Sequence, residues 1–107
     1  MDLALQLPQR VLLVLATAVG LVACAVSAPV QEMSDARQAI SAAHAAEADR
    51  HAVNEIQQAE GLLQQAEQHI QTRDFHSARR DAIESRAKAV EARRLAEKRG
   101  ADLPDPF

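Results

Sequence analysis

TRDFHSARR, residues 72–80, is where this chain folds back on itself. Asp74 can cap a new helix by accepting a backbone amide of the first turn, with Ser77 and Ala78 in that turn. Working back from it, Val53, Ile56, Ala59, Leu63, Ala66 and Ile70 recur at steps of three and four, one face of a helix. Working forward, Phe75, Ala78, Ala82, Ser85, Ala89, Ala92 and Ala96 do the same with mostly small side chains, and Ile83 and Val90 form a neighbouring row. Two such stripes joined by a short polar turn make an antiparallel helical hairpin. Phe75 is expected to be its largest core side chain. The alanine stripe lets the helix axes approach near the low end of the usual ~8–10 Å spacing.

From Glu32 to Arg99 the chain has no proline, and Gly61 is its one glycine. Ala, Glu, Gln, Arg and Lys dominate, all good helix formers, and no alternating run of β-branched or aromatic residues marks a strand. The fold class is therefore all-α. An earlier helix is expected from about Met33 to Asp49, with Ala36, Ala39, Ile40, Ala43 and Ala46 inward. Its junction with the next helix, EADRHAVNEIQ at residues 47–57, has neither Gly nor Pro. Asn54 with Gln57 can form a capping pair, which favours a turn near His51 to Val53. The alternative is one long helix over 34–72. A small antiparallel helical hairpin or three-helix bundle is thus expected over 32–99, with three helices favoured and a frayed tail at 100–107. Large apolar side chains are few, so the isolated domain should be marginally stable.

Charge is divided along the chain. Residues 32–67 carry seven acids against Arg37 and Arg50, whereas residues 73–99 carry nine bases against five acids. Opposite signs on facing helices attract, although exposed pairs contribute only ~0–1 kcal/mol each. A solvated, partly self-neutralised surface is expected, with no nucleic-acid partner.

The strongly apolar segment VLLVLATAVGLVACAVSAP, residues 11–29, governs location. It is short for a bilayer span, which needs ~20 apolar residues, but fits the ~7–15-residue core of an export signal. Basic charge before it is limited to Arg10 and the amine of Met1, offset by Asp2. At its end Leu21, Val22 and Ala23 precede Cys24, which resembles a bacterial lipobox, where the cysteine is acylated and becomes the new N-terminus. Cys24 is the chain's only cysteine, so it cannot form an internal disulfide. The expectation is a lipoprotein signal peptide over 1–23, a lipidated Cys24 and a spacer over 24–31. Cleavage at a site such as Ala23-Cys24-Ala25 without lipid, or an uncleaved anchor, are the alternatives. Several acyl chains on Cys24 would hold the protein on a membrane, since one chain alone binds only marginally.

Catalytic chemistry is not expected. The histidines are His44, His51, His69 and His76; His44, Glu47 and His51 lie at helical spacing, but the repeated Glu-x-x-His of carboxylate-bridged metal bundles is absent. No Gly-rich phosphate loop or nucleophile turn occurs. Neither catalytic residue, metal nor cofactor is assigned.

ARQAISAAHAAEA (36–48), NEIQQAEGLLQQAEQHI (54–70) and RDFHSARRDAIESRAKAVEARRLA (73–96) resemble the domain of unknown function 4398 family. The turn Asp74-Phe75-x-x-Ala78 is similar to that family's Asp-Tyr-x-x-Ala. Where the family tends to have Tyr-Ala-Pro before the second helix, this chain has His51-Ala52-Val53. The resemblance implies a small helical domain found on bacterial lipoproteins or joined to outer-membrane peptidoglycan-binding domains. It transfers no catalytic residue. The expected protein is an outer-membrane lipoprotein facing the periplasm, a non-catalytic helical module for envelope or peptidoglycan-associated partners. An oligomeric coiled-coil lipoprotein at the peptidoglycan is the alternative, although the Asp74 turn interrupts any sustained heptad. Ala25 follows the cysteine, so the Asp that tends to retain lipoproteins in the inner membrane is absent.

Overall fold

The computed structural model describes residues 28–103. The expected signal segment, the lipobox residues Leu21, Val22 and Ala23, Cys24 and the last four residues lie outside them. The described residues are all-α: α1 Val30–Ala45, a single turn α2 Ala48–His51, α3 Val53–Gln71 and α4 Phe75–Ala101.

The turn at Asp74 forms as its chemistry dictates. The Asp74 side chain accepts from Ser77 N at 3.2 Å and caps α4. The same turn closes α3: Arg73 takes a left-handed φ of 61°, its N–H donates to Ile70 O, and Asp74 N–H donates to His69 O. That is the Schellman arrangement, with arginine where glycine is usual. The chain therefore reverses within three residues, and α3 and α4 pack antiparallel.

The other junction has the expected turn near His51 to Val53 and an earlier break that was not expected. The first helix ends at Ala45, and the reversal begins at Glu47, whose φ of 62° is again left-handed and whose N–H donates to His44 O. After the single turn α2, Ala52 adopts an extended φ of −143° and α3 starts at Val53. Asn54 and Gln57 do not form the start; no side chain caps α3. One long helix over 34–72 is excluded by these two breaks. α1 and α4 also begin and end outside the expected limits of 32 and 99, with Val30 and Gly100 helical.

α4 is the spine, with α1 and α3 both laid along it and only lightly touching each other. Its expected small-residue face is the buried one: Ala78, Ala82, Ser85, Ala89, Ala92 and Ala96 are all in the core. Ile56, Ala59 and Ala66 of α3 and Met33, Ala36 and Ala43 of α1 close over it. The Ser85 hydroxyl donates to Ala59 O at 2.6 Å, so this buried polar group has a partner. Phe75 is only half-buried and Val53 is exposed. Both stand at helix starts, where a side chain overhangs the end of the bundle rather than its middle. Ala39, Ile40 and Ala46 are half-buried, at the edge of the α1 contact.

Candidate functional site

Because α1 and α3 share α4 but barely meet, a groove runs between them. Its middle section, about 530 Å³, is lined by Ile40, Gln57, Glu60, Gly61, Leu63, Gln64 and Glu67. Two ion pairs cross it: Arg37 Nη2 to Glu67 Oε1 at 3.2 Å and His44 Nε2 to Glu60 Oε1 at 2.6 Å. Gly61 leaves its wall open, and a Cβ built there meets nothing within 4 Å. Towards Pro29 the groove continues as a cleft of about 360 Å³ lined by Ala28, Val30, Met33, Arg37, Glu67, Ile70 and Gln71.

The polar groups of the bundle are tied into its frame. His69 Nδ1 hydrogen-bonds Asp81 Oδ2 at 2.8 Å, joining α3 to α4, and Asp81 is buried on the small-residue face. Arg79 Nε donates to Glu32 Oε1 at 3.2 Å, joining α4 to α1. Arg99 donates to the His51 carbonyl, fastening α2 to the end of α4. The Asp74 carboxyl is held below its usual pKa, first by the side-chain bond with Ser77, then by the backbone bond there, and by His69 and His76 nearby.

His44 turns to Glu60, while His51 stands 3.9 Å from Glu47, so the three residues at helical spacing do not converge. Among the described residues no group of three His, Cys, Asp or Glu could hold a metal ion. Ser85 is committed to a backbone carbonyl. Among the described residues no helix is long and apolar enough to cross a membrane. The expected neutralisation of α4 by the acidic half is realised in Arg79–Glu32, whereas Glu60 and Glu67 pair with His44 and Arg37 of their own half.

Asp81 and Glu47 are the structural residues that sequence reading missed. Asp81 lies three residues after Ala78 and one before Ala82, on the edge of the alanine stripe, which is the signal that could have found it.

Residues 31–103 match the family described as Domain of unknown function (DUF4398). The chain belongs to that family. No curated protein and no solved structure matches the chain. The DUF4398 match spans all but the first residue of α1 and runs through α4, so it covers both turns and the groove except Ala28 and Val30.

Proposed function

We propose that this DUF4398 protein is a lipoprotein tethered through acyl chains on Cys24 to the outer membrane, its helical domain serving as a non-catalytic interaction or structural module on the periplasmic face. The observation that supports the reading is a spacing. Leu21, Val22, Ala23 and Cys24 end the apolar run, and the folded bundle starts at Pro29, five residues after the cysteine. Cys24 thus stands where a lipobox places the cysteine that is acylated, shortly before the described bundle. The bundle itself offers a long open groove and a charged surface suited to an envelope partner.

Radiolabelled palmitate tests the tether. Label is expected in the native protein, and Cys24→Ala should abolish it and release the protein from the membrane fraction or leave it uncleaved. Membrane binding without label in the native protein would refute the tether. Destination is read by sucrose-gradient separation of the membranes: the native protein should travel with outer-membrane markers, and Ala25→Asp should shift it inward. Native protein banding with the inner membrane would overturn the sorting while leaving the lipid in place.

A further inference from the structure

The chain leaves the bundle at one end, and the composition of that end is distinctive. The Pro29 side chain is fully buried, Met33 N–H donates to Pro29 O, and Val30 N–H donates to Ala28 O at 2.8 Å. The exit point is therefore fixed on the bundle rather than hanging from a loose linker. Cys24 lies four residues before Ala28. However those residues run, they span at most ~14 Å.

The hairpin turn after α3 sits at this same end, because Met33 packs with Ala66 and Ala82 and Glu32 meets Arg79. The end surface thus presents Val30, which is 72% exposed, with Gln31, Gln71, Thr72 and Arg73. The cleft lined by Met33, Val30 and Ile70 opens beside them. The carboxylates of this end all have partners: Asp74 with Ser77, Glu67 with Arg37, Glu32 with Arg79 and Asp35 with Gln31. The opposite end carries mixed charge: Glu47, Asp49, Glu97 and Asp102 are exposed beside Arg50, Arg93, Lys98 and Arg99, with Glu47 paired to Arg50 and Glu97 to Arg93. The 27 residues of α4 separate the two ends by ~40 Å at 1.5 Å per residue.

We propose that the end formed by Pro29, Val30 and the Gln71–Asp74 turn docks on the phospholipid surface that holds the tether, and that the opposite end points away from it. This rests on the lipid tether at Cys24 proposed above. The tether brings this end within reach of the headgroups. Val30 enters the acyl boundary, where burial of apolar surface stabilises contact. Arg73 meets lipid phosphate. The α1–α3 groove, which begins at the lipid, then runs outward and stays open to a partner in the periplasm.

Nitroxide accessibility tests this on the full chain purified from membranes and returned to phosphatidylethanolamine–phosphatidylglycerol vesicles. Cys24 is the only native cysteine, so once it is acylated an introduced cysteine is the one thiol to label. Labels are placed singly by Thr72→Cys, Asp49→Cys and Ile83→Cys, all exposed positions. The label at 72 should be several-fold less accessible to a water-soluble nickel relaxant than the label at 49. Val30→Asp, a change at an exposed side chain, should remove that protection while the helical circular dichroism stays the same. Equal accessibility at 72 and 49, or protection at 83 instead, would overturn the orientation. The intact mass of the same samples separates the two proposals: acyl mass with no end-on protection refutes only this one, and missing acyl mass refutes both.

Discussion

At the end of the bundle nearest Pro29, Met33 packs with Ala66 and Ala82 and is flanked by Leu63 and Ile70. At the far end Ile56 packs among Ala43, Ala48, Ala52, Ala92 and Ala96, with Ile40, Ala46 and Leu95 at the margin. Each end centres on one large buried side chain, but the walls differ. Around Met33 stand flexible side chains that can change rotamer. Around Ile56, besides Ile40 and Leu95 at the margin, stand five buried alanines against two around Met33. Their methyl groups are fixed directly to helix backbones and move only if a helix moves. The same composition thus gives one end that can adjust and one that is set by backbone spacing.

The largest expected effect follows from that difference. Large-to-small changes in cores cost ~2–5 kcal/mol, and the value depends on how well the site collapses. Ile56→Ala should fall in the upper part of that range and Met33→Ala in the lower part, measured by urea unfolding of the purified protein. Equal costs, or a greater cost for Met33→Ala, would remove the distinction between the ends. Overpacking comes next. Ala92→Leu should cost at least the ~1–3 kcal/mol typical of extra methylenes in a packed core, and Ala82→Leu less, because Met33, Leu63 and Ile70 can yield. An Ala82→Leu variant less stable than Ala92→Leu would reverse the assignment.

Much of this was legible in the residues, for reasons that particular positions make clear. The Asp74 turn could be read because a capping carboxylate and a change of stripe coincide there. The buried face of α4 could be read because its small residues keep helical spacing from Ala78 to Ala96. The break at Glu47 could not. A helix end of that kind usually advertises itself with glycine at the left-handed position, and here glutamate holds it, with φ 62°. The break lets Ala43, Ala48 and Ala52 share one cluster with Ala92 and Ala96 of α4, partners forty or more residues away that no local signal reveals. Phe75 was misjudged because size suggests a core role, whereas its place at the start of α4 leaves it half-buried. The groove between α1 and α3 was invisible for a similar reason: periodicity shows which face is buried, not which pair of helices stays apart.

Glycine placement gives a smaller pair of effects, both stabilising. Gly61 sits within α3 with open space at its Cβ position, so Gly61→Ala should add ~0.5–1 kcal/mol. Glu47→Gly relieves a left-handed residue that costs ~1–2 kcal/mol, less the ~0.5–1 kcal/mol entropy of glycine. Either should raise the thermal midpoint by a few degrees; a lower midpoint for Gly61→Ala would mean the groove needs that gap. The smallest effect is at the turn. Because the Asp74 pKa is lowered, its stabilisation is present above the unfolded value near 4 and lost as pH falls through the lower folded value. Asp74→Asn keeps a capping oxygen without the titration. The native protein should therefore lose stability relative to Asp74→Asn only below about pH 4, and a difference independent of pH would show that the ionised cap contributes nothing.

The most direct measurement is the intact mass and N-terminal peptide mass of the protein extracted from the membranes of cells expressing the full chain. The expected species begins at Cys24 and carries the added mass of a diacylglyceryl group on its sulfur. A species beginning at Met1, or one starting at or after Cys24 with no lipid mass, would contradict the tether and leave the DUF4398 bundle without the membrane attachment proposed for it.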